Sequence, residues 1–314
     1  MELISRKLGE VTMNTHLSAT GAGTYCQCPR KYYWQREQRW EWKGPTQVNA
    51  MSLGSMTHWF IETGLRYMLE HENFSAQHFA STALHNANEQ VDNYIASNYE
   101  SEISQGKAYD EQLPYARQMA LNLFSWMETT KFWERYQLVS LEQEYRLDQD
   151  TYYYCIPEAP EVSHWHDYVA KPDLVVRDSV TGVLGVYDFK TSATLNQPVM
   201  ASDWQMRISS LVVDCLEEGD VAMGGHIRIK KVKDMKRAKP PYVELHEQRW
   251  DPKRFALIGE ELAYLSSKIL NDRVWLPNPT WTCQSGCGYY DACEAKSSNQ
   301  DWDYVIRLTH ERNT

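Results

Sequence analysis

Residues 183–192, VLGVYDFKTS, set an acid and a lysine two positions apart at the end of an apolar run. Strand side chains alternate between faces, so Asp188 and Lys190 project to one side while Phe189 turns the other way, into a core. Just upstream, KPDLVVRDSVTG supplies another apolar run followed by a turn signal, and the two runs read as an antiparallel hairpin. A four-residue loop over residues 179–182, closed by Asp178 and Val183, places Asp173 opposite Asp188. Two carboxylates and an amine are thereby gathered among Val, Leu and Tyr. Carboxylates so close repel each other by on the order of several kcal/mol unless a cation neutralises them. An all-oxygen pair that leaves room for water suits magnesium or manganese. Lys190 would not be a metal ligand there. It would orient or help deprotonate an attacking water and stabilise charge on a phosphoryl oxygen. The alternative for a D-x-K pair in a strand is a solvated ion pair of little consequence.

The rest of the chain supplies a frame for such a hairpin. Its 314 residues, 42% hydrophobic and 12% aromatic, suffice for one large core or for a core with an appended helical part. Apolar periodicity predicts helices over 20–38, 50–71, 75–98 and 112–135. Strands are expected over 138–148, 151–157, 166–177 and 183–191, then a helix carrying Gln205, strands over 224–233 and 242–250, and a helix over 252–271. The pattern is α/β, with a mixed central sheet flanked by helices. Three segments follow from it: an N-terminal helical part, 1–137, a core, 138–272, and a cysteine-rich segment, 273–314, docking on the N-terminal part. In the strand LVSLEQEYRL, alternation puts Glu142 and Glu144 on one face. Glu144 is the preferred extra acid and Glu142 is read as solvent-facing.

Pro172 and Asp173, followed by Asp188, Phe189 and Lys190, resemble the motif of the PD-(D/E)XK nucleases. The resemblance implies a metal-dependent phosphodiester hydrolase with Asp173, Asp188 and Lys190 at its centre. Residues 51–70, MSLGSMTHWFIETGLRYMLE, look like the helix that supplies a metal-binding histidine in RecB-like members, here His58. Gln205 stands at the first position of that branch's Q-x-x-x-Y motif, which implies a DNA- or lysine-positioning role. The fifth position is Ser209, so the tyrosine is absent.

Seven cysteines in a chain with no secretory h-region and no apolar stretch approaching 18 residues point to a cytoplasmic protein without disulfides. Cys283, Cys287 and Cys293 lie close together, and Cys26 and Cys28 stand far from them in YCQCPRKYYW. One distant and three clustered thiols suit a [4Fe–4S] centre or structural zinc. The layout is similar to that of the iron–sulfur RecB-like nucleases, among them the CRISPR-adaptation nucleases and the AddB nuclease domain. That similarity implies Cys28, Cys283, Cys287 and Cys293 as ligands of an iron–sulfur cluster. The spacing C-x3-C-x5-C departs from their C-x2-C-x5-C at Cys283, and Cys26 could replace Cys28. Cys155 and Cys215 read as core thiols.

A formal charge of −10 argues against general coating of nucleic acid. Local distribution matters more: HIRIKKVKDMKRAKPPYVEL is densely basic, and Lys230, Lys233, Lys236, Arg237 and Lys239 suit a phosphate backbone. The expected function is a magnesium- or manganese-dependent deoxyribonuclease, an exonuclease acting on DNA ends or single strands in recombination, repair or phage DNA processing. A helicase or recombination partner and a viral origin are compatible with it; no membrane is expected. The other readings are a structure- or sequence-selective endonuclease and a non-catalytic DNA-binding scaffold.

Overall fold

The computed structural model describes residues 16–42, 50–70, 79–102, 106–157, 166–195, 203–231, 239–281 and 283–312. It divides into two compact units: Val48–Tyr145 with Lys171–Pro252, and Met1–Gln47 with Arg146–Ala170 and Lys253–Thr314.

The first unit holds three long helices, α1 (Ala50–Glu70), α2 (Phe79–Glu102) and α3 (Gly106–Thr129). They are followed by β1 (Tyr136–Leu141), β2 (Leu174–Asp178), β3 (Leu184–Ser192), α4 (Trp204–Leu216), β4 (Val221–Lys230) and β5 (Val243–Arg249). The five strands form one sheet in the order β1-β2-β3-β4-β5. Only β3 and β4 run parallel, and α4 is the crossover that parallel pairing requires. The expected α/β fold with a mixed sheet is therefore present. The hairpin register also matches expectation: Leu174 pairs with Tyr187 and Val176 with Gly185, and Asp178 N donates to Val183 O at 2.9 Å to close the loop.

Phe60, Ile61 and Leu65 of α1, Leu123 and Phe124 of α3, and Tyr187 and Phe189 of β3 share one core, all within 2% of full burial. Each such side chain contributes about 1.5–3 kcal/mol by leaving water. Gly64 lets the helices close up, because a Cβ there would lie 2.9 Å from the Ala83 carbonyl oxygen. Since α1 touches β3 and α3 touches β4 and β5, residues 48–137 belong with the sheet.

In the second unit, strands His16–Ser18, Asp167–Ala170 and Tyr145–Leu147 make a small sheet, beside a helix over Pro252–Asn271. Trp34, Tyr289, Trp302 and Ile306 pack together near the cysteines.

Local corrections have clear causes. The expected helix 20–38 is interrupted at Cys28, which is extended, with φ −160°, because it precedes Pro29; helical structure resumes over Pro29–Tyr32 and continues as a π-helix over Tyr33–Glu37. Residues 149–155 form a helix rather than a strand, since Asp148 caps it by accepting from Thr151 N at 2.8 Å. The expected strand 138–148 breaks at Glu142, and 166–177 splits around Lys171 and Pro172. Cys155 and Cys215 are partly exposed, so neither is a fully buried core thiol. Among the described residues, no helix is long and apolar enough to cross a membrane.

Candidate metal and phosphodiester site

The site lies where β3 meets the start of β2, facing the part of α1 that carries His58. Alternation along β3 sends Phe189 into the core and leaves Asp188 and Lys190 together, with Lys190 Nζ 2.5 Å from Asp188 Oδ2. Asp173, just ahead of β2, accepts a hydrogen bond from Phe189 N at Oδ2, 2.5 Å long. The carboxylate pair inferred from the register is thus tied to the same short piece of strand. Helix α1 brings His58, whose Nδ1 is 3.5 Å from Asp173 Oδ2 and 3.9 Å from Glu142 Oε1. His58, Glu142 and Asp173 each offer a ligand atom within 4.8 Å of the other two.

Glu142, not Glu144, is the acid that joins this group. The strand ends at Leu141, and Glu142 takes a left-handed backbone, φ 51°, with its N–H donating to Asp173 O at 3.1 Å. Alternation therefore fails at that point, and Glu144 is exposed outside the group. Lys171 Nζ holds the other Glu142 oxygen at 2.8 Å.

Charge balance shows what the group could hold. Burial pushes the Asp173 carboxyl well above the ordinary carboxylate range, Asp188 and Glu142 push it further, and His58 opposes them. Burial acts against a charged His58, but the surrounding Glu142, Asp173 and Asp188 outweigh it and raise the imidazole. Glu142 is held low despite its burial, because His58 and Lys171 favour the anion. Two carboxylates and an imidazole drawn together against repulsion fit a divalent cation of the magnesium or manganese type, with Asp188 alongside as a further oxygen donor.

Gln205, near the start of α4, joins the two charges of β3. Its Oε1 accepts from Lys190 Nζ at 2.7 Å and its Nε2 donates to Asp188 Oδ1. Its own backbone N–H is held at 2.8 Å by Asp203, the helix N-cap, which also meets His226. Lys171, Asp203 and His226 escaped the sequence reading, although an acid immediately ahead of Trp204 and Gln205 carries a cap signal.

The four expected cysteines come together elsewhere, in the second unit. Cys28, Cys283, Cys287 and Cys293 line one pocket with Arg30 and Tyr289. Cys26 is exposed and is not among its lining residues. Arg30 Nη1 donates to Cys293 Sγ at 3.5 Å, and Thr280 N to Cys283 Sγ at 3.3 Å. Burial pushes the Cys287 thiol up. Of the basic run, Lys233, Lys236 and Arg237 lie outside the described residues. Lys239 is exposed, and Lys230 Nζ, at the end of β4, donates to its carbonyl oxygen at 3.1 Å.

Residues 16–294 match the PD-(D/E)XK nuclease superfamily, and the chain belongs to it. Membership makes the protein one of a superfamily of phosphodiester hydrolases that work with divalent metal ions. No curated protein matches the chain. Among solved structures, a candidate exonuclease from Eubacterium rectale is similar over 92% of this chain and 99% of its own, with 11% identity and a TM-score of 0.44. The protein SSO0001 is similar over 77% of this chain and 98% of its own, with 17% identity and a TM-score of 0.35.

Proposed function

We propose that the protein is a metal-dependent deoxyribonuclease of the RecB-like branch, acting as an exonuclease on DNA ends or single strands. The observation that carries the reading is the meeting of His58, Glu142 and Asp173 beside the Asp188–Lys190–Gln205 cluster. His58, Asp173, Glu142 and Asp188 would hold magnesium or manganese. Bound there, the ion would supply Lewis-acid polarisation of a phosphodiester and lower the pKa of water. The protein's own groups do the rest. Gln205 and Asp188 grip Lys190 from two sides, so its ammonium is aimed rather than free, and it stabilises the charge that develops on a phosphoryl oxygen. Lys171 holds one oxygen of Glu142 and leaves the other directed at His58.

The cysteine pocket is read as an iron–sulfur site with a structural role. Support comes from the one-plus-three layout, from N–H groups aimed at two of the sulfurs, and from burial that disfavours an unliganded Cys287 thiolate. Zinc is the other metal this thiolate set would take.

Linear and covalently closed circular DNA of the same sequence, incubated with the protein and manganese, test the exonuclease reading. Linear DNA should shorten progressively while the closed circle survives; linearisation of the circle would establish an endonuclease instead. The basic run should contribute affinity without sequence preference. Changing Lys233, Lys236, Arg237 and Lys239 to Ala should flatten the salt dependence of single-strand binding by at most about three units, at about 0.7 per phosphate contact. An unaltered slope in fluorescence-anisotropy titrations would show the run to be a solvated loop.

A further inference from the structure

A buried histidine on β4 has no part in the scheme so far. His226 is 3% exposed, and the parallel register sets it directly beside Asp188 on the neighbouring strand. Its Nε2 lies 3.1 Å from Asp203 Oδ2, with the geometry of an ion pair more than of a straight hydrogen bond. The other oxygen of Asp203 accepts from Gln205 N at 2.8 Å, and the Asp203 carbonyl accepts from Arg207 N at 3.0 Å. Asp203 therefore spans the gap between the strand that carries His226 and the first turn of α4. Gln205 stands in that turn and reaches both Lys190 and Asp188.

A glutamine side chain has three rotatable bonds and cannot by itself hold a bifunctional grip on an ammonium and a carboxylate. The grip depends on where the helix start is fixed. In a reacting site a displacement of about 1 Å can cost about a hundredfold in rate. Asp203 supplies the cap, but a cap alone leaves the helix end free to shift relative to the sheet. Beside the apolar packing of α4, with Met206 fully buried, His226 gives that end a polar tie to the sheet, because it belongs to β4 and touches the carboxylate from the sheet side.

We propose that His226 is a positioning residue: by anchoring Asp203 to the sheet it fixes the first turn of α4, so that Gln205 engages Lys190 and Asp188 together. The inference rests on the roles given above to Gln205 and Lys190, and it adds a chain of contacts, His226 to Asp203 to Gln205, that the family motif does not contain. A purely structural role would predict a change in stability only. A positioning role predicts a specific loss of turnover that disappears once Gln205 is gone.

The test is a double-mutant cycle on the full chain with single-stranded DNA and manganese. His226→Leu should lower kcat by about 10- to 100-fold, the range for losing a group that orients the residues around a metal site. KM should change little. In the Gln205→Ala background the same substitution should cost a further factor below about 3, because there is no grip left to misplace. His226→Gln, whose Nε2 can replace the imidazole donor, should recover most of the rate. Asp203→Asn keeps the helix cap while removing the charge, and serves where His226→Leu does not fold. It should show the same coupling to Gln205→Ala. Amide hydrogen exchange gives a readout independent of nuclease activity. In His226→Leu, the N–H groups of Gln205 and Arg207 should exchange about tenfold faster, with no change at the far end of α4. A wild-type protein that leaves DNA intact would overturn the nuclease reading, and the exchange measurement would still decide the anchor. Equal losses of kcat with and without Gln205, or unchanged exchange at Gln205 and Arg207, would overturn the inference.

Discussion

Asp188→Ala is expected to lower the rate of DNA hydrolysis by at least about a thousandfold, since several kcal/mol of charge stabilisation leave with it and each 1.36 kcal/mol is tenfold. The fold should survive. Lys190, half exposed, can be solvated when its partner goes, and the Asp173 carboxyl is relieved of a neighbouring charge. Asp173 adds a pH dependence whose sign follows from its raised pKa. The folded protein binds this proton more tightly than the unfolded chain does. Its contribution to stability is therefore fully present below the ordinary carboxylate range and is lost as pH rises through the folded-state value. At neutral pH, without metal, burying this carboxyl is a cost. Asp173→Asn should accordingly raise the thermal midpoint of the metal-free protein at neutral pH. Manganese should raise the midpoint of the wild type much more than that of Asp173→Asn. Calorimetric scans with and without manganese check both statements. A lower midpoint for metal-free Asp173→Asn would show that the carboxylate is not under the strain its surroundings imply.

Loss of the metal proposed for the cysteine pocket should have the next largest effect. Cys28 comes from the unit's first stretch of chain, and Cys283, Cys287 and Cys293 from its last. A centre bound by all four closes a very long loop, whose entropy cost grows only slowly with length. Thiolate–metal bonds are strong by comparison, with apparent binding energies of about 10–16 kcal/mol for structural zinc in small peptides. Cys293→Ser or Cys287→Ser should therefore abolish metal retention and leave the protein largely insoluble or cooperatively less stable. An iron–sulfur protein prepared without oxygen should be brown and should bleach in air. A colourless protein carrying about one zinc and no iron would replace the cluster with zinc. Neither metal, with all four thiols alkylated in the folded protein, would remove the shared site. Arg30, 8% exposed, donates to Cys293 Sγ and to Ser297 Oγ, so its guanidinium would offset thiolate charge in a metal-bound centre.

Residues governed by local rules were legible in the sequence. Asp173 and Asp188 could be paired because strand alternation and a four-residue turn together leave one register, and β2 and β3 adopt it. Gln205 was placed correctly on a helix after the hairpin, although only the structure shows that it bridges Lys190 and Asp188. The error over Glu142 and Glu144 has a particular origin. Strand alternation over 138–148 keeps Glu142 and Glu144 on one face, whereas the strand ends at Leu141 and the left-handed residue after it brings its carboxylate to His58. A positive φ at glutamate has no sequence signature, because glutamate is not a residue that favours it. The run TYYYC looked like a strand by its aromatics, yet the Asp148 cap decided for helix. His226 was invisible as a partner of Asp203, since residues 23 positions apart meet only once the β3–α4–β4 crossover has formed.

Binding and turnover measured on one preparation test the central claim most directly. Manganese titrated into the wild type and into Lys190→Ala by calorimetry, alongside initial rates on linear DNA, separates the group that holds metal from the group that acts on phosphate. Both proteins should bind manganese with affinities within about threefold of each other, while Lys190→Ala loses about a hundredfold or more in rate and excess chelator stops the wild type. Undiminished hydrolysis by Lys190→Ala, or hydrolysis by the wild type that persists in excess chelator, would contradict the assignment.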